Sequence, residues 1–284
     1  MFVTIIPYSG RKCKRKSKIR FEETVDKSGG FCYNYHRTEL SFPKKERRWE
    51  VRITVETSSR RQNAGIIRAL DARIPLWNDD SAASLLSVRD RTCFFTGHRD
   101  PYALPAGEDG GAVTDVSHQL QIRIREYLER EVESLIYQGF SVFCCGGARG
   151  FDLLSAAVVL GCRERHPGLR LVLMLPCREQ SRGWNDRDLA LYRAVLERGE
   201  AYYLQHTYDR ACMLRRNRCL VDHAAVGITW YDPERARSGT GMTVRYAESR
   251  GIPMIHLRPM VLSELFPSEE PSGPADGEQL RLPM

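Results

Sequence analysis

Between residues 92 and 257 the chain alternates short apolar runs with longer stretches in which apolar positions recur every three or four residues. The short runs are 92–96, 141–145, 169–175, 201–205, 226–230 and 253–257. Bounded by glycine, proline and polar residues and rich in Val, Leu, Ile and Phe, they predict strands buried on both faces. Residues 116–138, 152–165, 186–198, 209–222 and 240–250 carry the helical period. Strands and helices in this rhythm imply right-handed βαβ crossovers. The expected fold is therefore α/β, a Rossmann-like three-layer domain with a mainly parallel sheet, over residues 91–262. Asp152, Asp186 and Asp209 stand where helix N-caps belong, and Gly139 and Gly251 where C-terminal caps belong.

Charge separates this region from what precedes it. Residues 1–90 hold 19 Lys+Arg against 11 Asp+Glu, whereas the rest holds 24 against 25, and all seven lysines lie at or before Lys45. The first third is expected to be a separate basic, poorly structured N-terminal segment, or coding sequence read from upstream of the natural start. It contains a basic cluster at residues 11–20 and an alternating stretch at 49–56 that suits a strand. Residues 57–90 read as a linker with one short helix near 65–72. From Pro267 the tail, with Pro271, Pro274 and Pro283 among Ser, Glu and Gly, has too little apolar surface to fold; residues 263–284 are expected to be disordered. No apolar stretch approaches the roughly 20 residues that cross a bilayer, so no membrane contact is expected. Nine cysteines without a paired framework suit a reducing, cytoplasmic setting. Cys212 and Cys219 share a helical face, but two sulfurs make a poor zinc site, and no metal is expected.

Three glycine-rich turns follow strand-like runs. Where a strand gives way to a helix in a parallel sheet, glycine lets a ligand approach the backbone, and the helix start offers unpaired N–H groups to phosphate. The first turn, Thr96-Gly97-His98-Arg99, adds a hydroxyl, an imidazole and a guanidinium. The second, Gly146-Gly147-Ala148-Arg149-Gly150 with Asp152, is the stronger signal, although it is neither a G-x-G-x-x-G fingerprint nor a P-loop. The third, Ser238-Gly239-Thr240-Gly241 with Thr243, follows the run at 226–230. Arg215, Arg216, Asn217 and Arg218 lie on the preceding helix, where Arg215 and Arg218, three apart, share a face while Arg216 looks elsewhere. Together these residues predict a site for a nucleotide-type small molecule. Catalytic groups are sparse: Asp152, His98 and Glu248 are the only candidates for acid–base work, and an enzyme is not the favoured reading.

The ordered set Cys93 to Arg99, Gly146 to Asp152, Arg216-Asn217-Arg218 with Val221-Asp222, and Gly239-Thr240 to Ala247 resembles the YpsA-like branch of the SLOG superfamily, with Leu175-Pro176-Cys177 and Trp184 adding to the match. The resemblance runs over about residues 92–257. It implies a Rossmannoid fold that binds a nucleotide or nucleotide-derived ligand, such as an ADP-ribose-like or dinucleotide molecule, as a sensor or binding module. The superfamily also contains cytokinin-activating phosphoribohydrolases and the DNA-processing protein DprA. The hydrolases carry P-G-G-x-G-T-x-x-E, whereas residues 237–245 here read R-S-G-T-G-M-T-V-R, without the Pro-Gly-Gly start or the glutamate. The first alternative is nucleotide N-glycosidic hydrolysis, and the second, ranked last, is DprA-like binding of single-stranded nucleic acid through the basic segment. The sequence leaves oligomer formation open.

Overall fold

The computed structural model describes residues 20–25, 31–36, 59–101, 113–235 and 237–265. Six strands build the main sheet: β3 (Thr92–Gly97), β4 (Val142–Cys145), β5 (Arg170–Leu175), β6 (Glu200–Tyr203), β7 (Val226–Trp230) and β8 (Met254–His256). Their order is β6-β5-β4-β3-β7-β8, and every neighbouring pair is parallel. All six are foreseen by the apolar runs, to within one or two residues at their ends. Because apolar residues occupy consecutive positions within the runs, successive side chains feed opposite cores. Phe95 and Phe143 face one way, and Phe94, Cys144 and Met174 the other.

The topology places the helices. From β3 the chain steps outward to β4, β5 and β6 through α3 (Val113–Tyr137), α4 (Phe151–Arg163) and α5 (Asp186–Leu196). It then returns to the far side of β3 through α6 (Cys212–Asp222), and α7 (Gly239–Ser249) leads on to β8. A right-handed crossover whose direction reverses must change face. Accordingly α3, α4 and α5 cover the first core, while α6 and α7 cover the second. A last helix, α8 (Leu257–Leu265), returns to the first core through Leu257 and Val261. The winding reverses between β3 and β7, and the carboxyl ends of strands beside such a reversal form the usual ligand crevice of open α/β sheets.

Cap positions hold at the helix ends and shift at the starts. After α3 the chain turns at Gly139, where Phe140 N donates to Leu135 O, and after α7 at Gly251, where Ile252 N donates to Ala247 O. The expected N-caps move. Asn185, not Asp186, caps α5 by accepting from Asp188 N at 2.8 Å. Asp209 closes a turn onto Ala211 N before α6 begins. Asp152 lies inside the first turn of α4, with Gly150 at the cap position.

The first third carries more structure than its composition suggests. β1 (Arg20–Val25) and β2 (Phe31–His36) pair antiparallel. The stretch read as a linker contains two helices, α1 (Arg60–Asp71) and α2 (Asp79–Leu86), which dock on opposite faces of the sheet. Ile67 of α1 enters the first core and Leu85 of α2 the second. Between them Leu76 bridges to Tyr203, so residues 75–77 run alongside edge strand β6. The physical reason is that α1 buries only Asn63 and Ile67, with Leu70 packed partly against the core, too narrow a stripe to stand out in an arginine-rich sequence. Most of the basic cluster, the alternating stretch at 49–56 and the tail from Pro267 lie outside the described residues.

Candidate functional site

The turn after β4 is an anion cradle, and a side chain of the protein fills it. The N–H groups of Gly146 and Ala148 both donate to Asp152 Oδ2, at 3.2 and 3.3 Å. Arg216 Nη1 donates to the same oxygen at 3.1 Å. Both side chains are buried, at 6% and 7% exposure for Arg216 and Asp152. Burial, the largest influence, pushes the Asp152 carboxyl above the ordinary range, opposed by the Arg216 guanidinium and the two N–H groups. Asp152 thus stands where a phosphate was expected. Gly146 is explained by the same arrangement, because a Cβ there would lie 0.8 Å from Arg216 Nη1. It makes room for Arg216, not for a ligand.

The other glycines near this turn let two loops pack together. A Cβ on Gly97 would meet the Phe151 ring at 2.5 Å, and one on Gly150, at φ +84°, would meet the Arg99 carbonyl oxygen at 2.3 Å. Phe151 N donates to His98 O across the same seam. Gly147 is buried against Leu175 and Gln180, and Gln180 Nε2 donates to its carbonyl at 3.1 Å.

His98 is 5% exposed and holds the switch-point loop. Asp232 N donates to His98 Nε2 at 3.0 Å. A backbone N–H can only donate, so Nε2 is the bare nitrogen and the ring is neutral, protonated at Nδ1. Burial holds its pKa below the usual histidine value, with Arg235 and Arg258 acting in the same direction and Asp232 against them. Thr96 is buried in register with Thr229 of β7, whose Oγ1 has no hydrogen-bond partner among the described residues.

At the start of α7, Ser238 Oγ accepts from Gly241 N at 3.1 Å, and Thr243 Oγ1 donates to Gly239 O at 2.8 Å while accepting from Asn217 Nδ2 at 2.7 Å. Thr240 and Gly241 are buried. Gly239 is exposed, with open space where a Cβ would be. Arg215 and Arg218 do not join this group: Arg215 pairs with Asp209 and Gln205 at the surface, and Arg218 lies over the Tyr246 ring at 5.4 Å. Glu248 is exposed in the last turn of α7. Nine residues beyond Gly239, it sits roughly 13 Å along the helix from the loop end. The three acid–base candidates therefore do not converge: Asp152 is in an ion pair, His98 holds a backbone N–H, and Glu248 is remote.

Arg99 and Arg149, both exposed, meet in a depression of about 380 Å³ at the carboxyl edge of the sheet. Gln180, Arg182 and Trp184, from the loop after β5, and Met213 of α6 complete most of its wall. Among the described residues no carboxylate lines it, although Arg182 makes a loose surface pair with Glu179 at 3.6 Å. Sequence reasoning placed Arg99 and Arg149 here and missed Gln180, Arg182 and Arg216. Arg216 had a readable signal: Cys212, Arg216 and Leu220 recur every four residues, which puts the arginine on the buried stripe of α6. One further group, Glu129, Glu133 and Cys162, brings potential metal ligands within 4.8 Å of one another. Arg165 pairs with both glutamates, and the group lies at the far end of α4 from the depression.

Fold and site together define a doubly wound, all-parallel α/β domain of the Rossmann type with a cationic depression at its carboxyl edge. Residues 111–261 match the model of the YspA SLOG family (YpsA). That is more than half of the chain, and the chain belongs to this family. The match begins after β3, so the first glycine turn precedes it. The chain is similar to a UPF0398 protein of Bacillus pumilus, 24% identical over 153 residues that make up 52% of this chain and 81% of the relative. UPF0398 protein BH1768 of Halalkalibacterium halodurans is 26% identical over 40% of this chain and 62% of its own length. UPF0398 protein YpsA of Bacillus subtilis is 23% identical over 40% and 66%. For these last two, the chain spans somewhat less than two thirds of the relative. Among solved structures, DNA processing protein A from Helicobacter pylori, described in a study of its single-stranded DNA binding mode, aligns with a TM-score of 0.39 and 18% identity over 60% of this chain and 66% of its own. No helix among the described residues is long and apolar enough to cross a membrane.

Proposed function

We propose that this domain binds a nucleotide or nucleotide-derived ligand as a sensor or binding module. The observation that carries the reading is the depression at the carboxyl edge, walled by Arg99, Arg149 and Arg182 with no carboxylate among the described residues of its lining. Three guanidiniums facing an open hollow favour a ligand with delocalised negative charge, for which the planar fork of arginine is suited. Trp184 and Met213 supply apolar surface beside them, as a base or ribose requires. The open start of α7 at Gly239 offers further N–H groups on the same edge. The buried Asp152–Arg216 pair braces the β4 turn rather than meeting the ligand.

The test is a thermal-shift screen of the full chain against mononucleotides, NAD, ADP-ribose and cyclic dinucleotides, beside an Arg99→Ala/Arg149→Ala variant. A ligand at about 100 times its Kd stabilises the folded state by roughly 2.7 kcal/mol. A shift in the wild type that disappears in the variant is the expected result. Both arginines are exposed, so the variant keeps its own unliganded melting temperature. No shift with any compound refutes the nucleotide reading.

A further inference from the structure

The glycine turn after β4 is connected through buried side chains to a helix outside the family-matched residues. Gln180 Nε2 lies 3.1 Å from Gly147 O, 3.4 Å from Gly146 O and 3.2 Å from the Tyr192 hydroxyl. An amide nitrogen has two protons, one for the turn and one for Tyr192. The Tyr192 and Tyr203 hydroxyls are hydrogen-bonded to each other. Tyr203 in turn donates to Asp71 Oδ1 at the end of α1. The bonds at the two ends run from Gln180 to Tyr192 and from Tyr203 to Asp71, and the two phenols meet between them in the first core. Both tyrosines are essentially inaccessible to water, which leaves them no substitute partner.

The α1 end is anchored as firmly. Arg178 donates to the Asp71 carbonyl oxygen and lies over the Tyr203 ring at 5.4 Å. Tyr203 N donates to Pro75 O, and Trp77 N to Tyr203 O, on either side of the Leu76 bridge. At the other end Gln180 is itself part of the wall of the cationic depression.

We propose that α1 is a positioning element for that depression. Asp71 orients Tyr203, Tyr203 orients Tyr192, and Tyr192 leaves Gln180 one fixed pose, in which it holds the Gly146–Gly147 carbonyls and the loop that carries Arg182. The N-terminal segment thereby sets the shape of a site whose wall, apart from Arg99, lies in the family-matched residues, which do not fully brace it. The positioning concerns the shape of the turn and stands on these contacts; only its effect on a ligand rests on the nucleotide reading.

Hydrogen–deuterium exchange of the full chain tests it without a ligand. In Asp71→Ala and Tyr192→Phe, amides of residues 145–150 exchange roughly tenfold faster, the factor equivalent to losing one hydrogen bond of about 1.4 kcal/mol. Asp71→Asn, which keeps an acceptor for Tyr203, stays near the wild type. Tyr192→Phe breaks the series in its middle while α1 keeps its contacts with Tyr203 and Arg178, so it separates positioning from undocking. Amides of α7 are unchanged in all three. Unaltered exchange at 145–150 in both disruptive variants overturns the proposal, and so does an acceleration spread equally over α7. In a second arm Asp71→Ala and Tyr192→Phe weaken ADP-ribose binding by a similar factor, and Asp71→Asn does not. If the wild type binds no ADP-ribose and the wider nucleotide screen is also blank, the nucleotide reading fails while the exchange result still decides the role of α1.

Discussion

Replacing Arg216 by methionine tests whether the anion cradle is filled from within. Methionine keeps much of the length and apolar bulk but removes the charge. Asp152 then retains two backbone donors, at 3.2 and 3.3 Å, in a position only 5% exposed. Removing one member of a buried ion pair costs about 3–5 kcal/mol, a large share of the roughly 5–15 kcal/mol that holds a domain folded. Burial already raises the carboxyl's pKa, and loss of the guanidinium raises it further. A folded-state pKa above the unfolded value of about 3.9 means that ionisation opposes folding as pH rises through it. The deficit of the variant is therefore largest near neutrality and shrinks as the solution is acidified toward that pKa. Urea unfolding followed by circular dichroism at neutral and mildly acid pH measures both terms. Asp152→Asn in the Arg216→Met background removes the stranded charge, keeps an acceptor for the two N–H groups, and restores part of the loss. Gly146→Ala reaches the same state from the other side by expelling the guanidinium. A neutral-pH cost below about 1 kcal/mol, the scale of an exposed pair, or a double variant no more stable than the single, refutes the reasoning.

Two further outcomes are expected. Burial lowers the pKa of His98 and of His256 below the unfolded value of about 6.5, so below that pH the unfolded chain takes up protons that the folded one refuses. Stability is then level above that pH and falls below it, by up to about 1.4 kcal/mol per pH unit for each histidine. His98→Gln, which keeps an acceptor for Asp232 N, flattens the slope, and an unchanged slope in unfolding titrations contradicts the assignment. Ile67→Ala and Leu85→Ala each lower unfolding stability by about 2–5 kcal/mol, because those side chains are 4% and 2% exposed in opposite cores. Losses under about 0.5 kcal/mol would show that α1 and α2 lie outside the cooperative unit.

The fold was largely legible because strands covered on both faces must be apolar at every position, and runs such as Leu171 to Leu175 have no other comfortable place. Gly139 and Gly251 were legible for a similar reason, since local geometry there calls for one residue type. The site was legible only in outline. Gly146 and Gly147 correctly marked a close approach, but a glycine records that something comes near, not what it is. Here the approaching group is Arg216, contributed by a helix 64 positions from Asp152 in sequence. Asp152 was read as a cap because position relative to a helix start is a local property, whereas its bond to that arginine is not. Gln180 and Arg182 belong to an irregular loop with no period to reveal which way they face. Asp71 gave no signal, because its role depends on two tyrosines that become its neighbours only after β6 and α5 have packed.

The strand order also decides when the site comes into being. Pairing β3 with β4 joins positions 50 apart, Thr92 with Val142, whereas pairing β3 with β7 joins positions 133 apart, Cys93 with Val226. On loop-closure entropy the second pairing costs about 0.9 kcal/mol more than the first, and it must also bring in α6. Until α6 arrives, the β4 turn has its carboxylate but no counter-charge, and the depression lacks Met213. A chain that has assembled only β3 to β6 thus has four of the six strands and an unfinished depression, open where Met213 belongs and unbraced where Arg216 belongs. A molecule that recognises only the finished, braced depression meets an incomplete one on the way up the folding barrier, so its stabilising effect falls mainly on the rate of unfolding.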